Sequence, residues 1–407
     1  MSTPVQTLHN GIKLVHIPAP GPVCRCGLII NAGSRDESDN EHGLAHFVEH
    51  TLFKGTTRRS AHDILNRLDA VGGELNAYTT KDETAIHAAF LEHDLRRAVD
   101  IIADMAFNST FPSRELDKER EVIIDEITSY EDTPAELIFD DFEDLAFAGT
   151  PLGHNILGTP ASVASFTPDD ARRFVARTHA TDQMAFVYIG PHKPDAVMRT
   201  AEACFSHLPT RQPRPHRVEA RSFAHFDKRK DRQTSQAHVV LGCHAPDSFA
   251  PDRLEMNVLA NILGGPSMNS KLSLALRERN GIAYNVETNY TSFDDNGLFS
   301  IYFGTDPQNI DRSMRIVRRE VDKLRQSPLS EAAFAKVIRQ YANQTLMSAD
   351  DAESLMLAAG RSANVYGQVL SLFEIASLIR ERVSPETLLQ AAQRHLDPDS
   401  FSRLIYC

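Results

Sequence analysis

The 407-residue chain has no tryptophan, few aromatics of any kind (7%) and only five cysteines. An odd, sparse cysteine set does not form a disulfide framework, so a reducing, cytoplasmic compartment is expected. Cys24 and Cys26 stand two apart in an apolar run. That spacing reads as a strand with two small buried residues rather than a metal site. No apolar run approaches a membrane span, and MSTPVQTLHNGIKLVHI lacks the basic start and continuous apolar stretch of a signal peptide. Basic residues are outnumbered, 43 to 55, for a net charge of −12. A nucleic-acid binder needs a basic face, so neither nucleic acid nor membrane is an expected partner.

What remains is an ordinary soluble composition, 42% hydrophobic and 24% charged. The length suggests two or three domains. VQTL and IKLVHI alternate around Asn10-Gly11 as a hairpin, and VCRCGLII follows as a more buried strand. SAHDILNRLDAV reads as a Ser-capped helix ended by Gly72-Gly73. Two strands joined near Lys81-Asp82 come next, then helices near 93–107, 113–132 and 134–147, a strand MAFVYIG and a helix near 194–206. The proline- and arginine-rich stretch LPTRQPRPHR reads as a linker. After it the same grammar recurs: strand HVVLGCHA, helices RLEMNVLANIL and SKLSLALRER, strands YNVETNYTSF and GLFSIYFGT, long helices, and a closing strand RLIYC. This repetition predicts a duplication, with domains at 1–209 and 223–407 joined by a linker at 210–222. The second half has no copy of HFVEH.

The richest chemistry lies in EHGLAHFVEHTLFKGT, which holds His42, His46 and His50 four apart, with Glu49 before the last. On a helix His46 and His50 fall roughly 40° apart on one face, and two imidazoles can converge on one ion. Glu49 lies roughly 60° to the other side of His46, where it can deprotonate a bound water without ligating the metal. The order H-x-x-E-H is the inverzincin signature. A zinc site with two histidines needs a third protein ligand. In LDKEREVIIDEITSYED, Glu119 and Glu126 lie seven apart, within about 20° on one helical face. One of the two can ligate while the other orients a histidine.

HFVEHTLFKGT resembles the active-site helix of the pitrilysin family of zinc metallopeptidases, especially the mitochondrial-processing-peptidase-like subfamily. The resemblance extends to GGELNAYTTKDETAIHAAFL, PLGHNILGTPASV and GGPSMNSKLSLALRERNGIAYNV, and so spans essentially the whole chain. In that family the third ligand is a glutamate 76 residues beyond the second histidine, which is Glu126 here, and a further functional glutamate seven earlier matches Glu119. His42 directly precedes Gly43 and is expected at the helix entry. His87, His93 and His154 lack partnered spacing and are expected to be structural.

The resemblance implies an α+β fold of two similar domains, each a mostly antiparallel sheet with helices on one face. It implies one zinc per chain on His46, His50 and Glu126, with Glu49 as the general base that takes a proton from zinc-bound water and passes it to the leaving amine. Asn76, Ala77 and Tyr78 match a sheet edge that pairs with substrate backbone. Arg277 and Tyr284 match an Arg…Tyr pair that clamps the substrate carbonyl and its developing oxyanion. Both features in one chain imply a homodimer, each site completed by the partner chain, enclosing a chamber that admits unfolded peptides. The alternative class is a non-catalytic scaffold subunit, but such relatives lack the zinc motif. A ribosylhomocysteine-cleaving enzyme shares the motif, but as a single small domain. Lys54 and Gly55 are expected to end the motif helix, as a cation in the last turn and a C-cap glycine.

Overall fold

The structure, a computed structural model, describes residues 3–205, 208, 210 and 217–407. Residues 211–216, part of the expected linker, lie outside the described residues. The chain forms two compact units. The first comprises residues 1–128, 155–218 and 348–371, and the second 129–154, 219–347 and 372–407. Each unit is therefore discontinuous, unlike the contiguous halves expected from the sequence.

The first unit holds strands β1 (Val5–Thr7), β2 (Lys13–Pro18), β3 (Val23–Ile30), β4 (Glu74–Thr79), β5 (Thr84–Leu91) and β6 (Met184–Gly190). Their order in the sheet is β1-β2-β6-β3-β5-β4. The β2–β6 pair is parallel and every other pair antiparallel. The second unit holds β7 (Asp227–Lys230), β8 (Ala237–His244), β9 (Ala283–Ser292), β10 (Gly297–Thr305) and β11 (Ser402–Tyr406), in the order β7-β11-β8-β10-β9. Here β7–β11 is the parallel pair. The expected two-domain α+β architecture is present, and the duplication is visible in the matching strand order.

Alternation along the strands divides each sheet into two faces. In the first unit, Leu28, Ile30, Ile86 and Phe186 face the core built with helices Leu44–Leu52, Ala61–Asp69 and Leu95–Asn108. Val15, Ile29 and Val187 face the other way and pack against Met356, Ala359 and Ala363 of helix Ala352–Tyr366. The second unit mirrors this. Val240, Leu298 and Leu404 pack against Leu137, Ile138 and Phe142 of helix Pro134–Ala146, on the face opposite its main core. Each sheet thus carries helices on both faces, and the extra helix comes from the other half of the sequence. This refines the expectation of helices on one face. Small residues permit the approach: a Cβ on Gly360 would lie 2.6 Å from Ile29 Cδ1.

Candidate active site

Helix Leu44–Leu52 buries Leu44, Ala45, Phe47, Val48, Thr51 and Leu52. Each large apolar side chain there contributes roughly 1.5–3 kcal/mol. The same periodicity aims positions 46, 49 and 50 away from the core. Helix Ser113–Glu131 anchors through Leu116, Ile123 and Ile127, which aims Glu119 and Glu126 at the first helix. The ligand atoms of His46, His50 and Glu126 lie within 4.8 Å of one another, the one such group among the described residues. Nε2 of His46 and of His50 stand 3.7 and 3.4 Å from Glu126 Oε2. His50 Nδ1 is 3.2 Å from Glu119 Oε2, and Lys54 Nζ is 2.6 Å from Glu119 Oε1. Glu119 thus orients His50, as the sequence had left open for one of the two glutamates.

Burial and the neighbouring His50 push the His46 pKa down to about 3, so its imidazole is neutral and ready to ligate. Burial also pulls His50 down, but contact with Glu119 and the charges of Glu49 and Glu126 outweigh it and raise its pKa. Burial opposes ionisation of Glu119, yet His50 and Lys54 hold its carboxyl below the usual range. Burial raises the Glu49 pKa, as does Glu126, against the nearby Thr79 hydroxyl and His50. A carboxylate poised upward in this way suits a general base. Two imidazoles and a carboxylate converging on one point form a donor set of open catalytic zinc sites.

His42 lies just before the helix, as expected, and Gly43 takes the N-cap with φ 96°. A side chain there would collide with Leu157 O at 2.7 Å. His87 is buried, with Nε2 3.8 Å from Glu353. His93 lies beside Asp94, and His154 is buried. None of the three joins the metal group. The termination reading is corrected. The helix ends at Leu52 with Phe53 as C-cap, so Lys54 lies beyond its last turn and serves Glu119. Gly55, with φ 141°, pairs with Ser60 instead of capping.

Asn76, Ala77 and Tyr78 lie on β4, an edge strand whose one partner is β5. Ala77 packs toward the core of the metal-binding helix. Tyr78 packs on the opposite face and donates to Glu83 Oε1 at 2.8 Å. Of Tyr78, only the main chain lies along the free edge. Arg277 and Tyr284 belong to the second unit. Arg277 sits on a π-helical segment, Ser273–Glu278, and Tyr284 is the second residue of β9, 63% exposed. Both line a cavity of about 390 Å³ with Gly264, Gly265 and Glu287. Gly281, two residues beyond the Arg279 C-cap, takes the left-handed region with φ 60°.

Residues 14–160 match the family model described as insulinase, peptidase family M16, and residues 165–341 match the peptidase M16 inactive domain. An uncharacterized zinc protease of Streptomyces coelicolor is 32% identical over 95% of this chain and 86% of its own length. The chain belongs to peptidase family M16. A mitochondrial-processing peptidase subunit beta from Lentinula edodes is 29% identical, over 98% of this chain and 89% of its own. A protease from Helicobacter pylori has the same fold, with a TM-score of 0.88 at 19% identity over all of both chains. No described helix is long and apolar enough to cross a membrane.

One part of this M16 site was not legible from sequence. Glu37, in the polar loop AGSRDESDNE, accepts from Gly43 N at 3.0 Å and Ala45 N at 2.7 Å. It thereby caps the metal-binding helix from outside it, satisfying amides that would otherwise be orphaned. Burial pushes its pKa well up. Nothing in the local pattern marks it, because the cap lies six residues before its first partner.

Proposed function

We propose that this M16 protein is a zinc-dependent endopeptidase acting on unfolded peptides or short polypeptides. The observation that carries the reading is the convergence of His46, His50 and Glu126 beside Glu49, in a member of a family whose relatives are named zinc proteases. One zinc per chain would rest on His46, His50 and Glu126. When bound, it would supply Lewis acidity and a water of lowered pKa.

Glu49 takes the proton from the attacking water and delivers it to the leaving amine. Glu119, fixed by Lys54, holds the His50 ring in place. The edge of β4 pairs with an extended peptide through main-chain hydrogen bonds, which select shape over sequence. Arg277 and Tyr284 donate to the carbonyl oxygen as it gains charge. We assign that pair to the partner chain of a homodimer whose chamber excludes folded proteins. The five free thiols favour a reducing, cytoplasmic setting. An intact metal group argues against the alternative of a non-catalytic scaffold subunit.

The test is cleavage of a quenched fluorescent peptide library with and without a chelator. Activity lost on chelation and restored by zinc supports the reading. Cleavage indifferent to chelation, or none with zinc supplied, overturns it.

A further inference from the structure

Edge strand β4 ends in the hairpin Thr80–Glu83, and that hairpin is held by a buried charge cluster. Asp82 Oδ1 accepts from Arg35 Nη1 and from Arg217 Nη1, both at 3.1 Å, and Arg361 Nη2 stands 3.4 Å from Oδ2. The Arg35 and Asp82 side chains are 0% and 8% exposed. Arg217 also donates to Asp36 Oδ2 at 2.9 Å and to the Asp82 carbonyl at 3.0 Å. The backbone reinforces this. Ser34 N and Arg35 N donate to Thr80 O and Lys81 O, each at 3.0 Å. A Cβ on Gly33 would lie 2.2 Å from Thr80 O, so only glycine allows the approach.

The same short segment reaches the metal-binding helix. Arg35 grips the hairpin, Asp36 meets Arg217, and the next residue, Glu37, caps the helix that carries His46 and His50. Three consecutive residues therefore link the strand edge to the metal helix. A buried ion pair is a poor source of stability but a strong constraint on geometry, because breaking it strands a charge.

We propose that Asp82, Arg35 and Arg217 are positioning residues that hold the peptide-pairing edge of β4 in register with the metal-binding helix, and so set substrate affinity and cleavage position. This rests on the peptidase reading above. An edge strand binds the substrate and its transition state alike, so loosening it raises KM and leaves kcat. A looser edge also admits peptide registers displaced by two residues, which scatters the cut.

The experiment compares wild type, Arg217→Gln, Arg217→Lys and the milder Arg361→Gln, all as full chains. Zinc content, kcat, KM and cleavage positions by mass spectrometry are measured on one extended peptide. Arg217→Gln is expected to keep its zinc and its kcat within about threefold, to raise KM about tenfold, and to cut at additional positions. Arg217→Lys should recover part of the loss and Arg361→Gln should shift KM less. If Arg217→Gln does not fold, the Arg361→Gln KM and cut sites decide. Unchanged KM and cut sites in the folded variants, or equal losses of kcat and zinc, overturn the proposal. A wild type without zinc-dependent cleavage overturns the peptidase reading and this inference together.

Discussion

The two units share five strands in the same order, down to the place of the single parallel pair, yet one gathers a metal group and the other gathers none among the described residues. The helix that follows β3 carries His46 and His50. The helix that follows β8, Arg253–Gly264, has no histidine. The second unit reaches the same strand order with no metal group among its described residues. The metal group of the first is therefore a chemical addition to a scaffold that does not need it. The buried charges around the first unit's site fit this view, since they position groups and do not build the core.

That comparison can be broken most forcefully at the ligands. His46→Ala or His50→Ala should lose the zinc and all detectable turnover, while circular dichroism stays native. Unfolding of the apo protein would mean that the metal is structural after all. Next in size, Arg277→Ala in the second unit should lower kcat by about 10²–10³-fold with zinc retained. Loss of zinc there would contradict a division of labour between metal and carbonyl groups. Glu119→Gln should cost about 10–100-fold in zinc affinity or activity, read by chelator competition and initial rates. The smallest effect compares the two scaffolds directly. Gly242→Ala places a Cβ 2.8 Å from the Phe142 ring and should cost about 1–3 kcal/mol in denaturant unfolding. Gly27→Ala meets the flexible Met356 thioether and the His87 Cβ near 3.1 Å and should cost less. A reversed order would show that the two crossing helices are not packed as described.

Much of this was legible in the sequence because the signals are local. Helix spacing placed His46, Glu49 and His50, and a seven-residue interval placed Glu119 and Glu126 on one face. Glycines at positions 11 and 72 marked turns that do adopt positive φ. What was not legible depends on contacts between distant segments. The exchange of helices Pro134–Ala146 and Ala352–Tyr366 leaves no local trace, because each is amphipathic whichever sheet it covers. The short parallel strand β7, DKRK, is wholly charged and shows no apolar period. Lys54 looked like a helix terminator, and only the fold brings Glu119 to it. Nothing in the chain says that Arg35, Asp82 and Arg217 meet.

The central claim is that Glu49 moves the proton at a centre held by other residues. The direct test is Glu49→Gln, with zinc content and peptide turnover measured on the same sample. The account predicts a full zinc equivalent with kcat reduced by about 10²–10⁴-fold. Cleavage at a near wild-type rate by the zinc-loaded variant would contradict it.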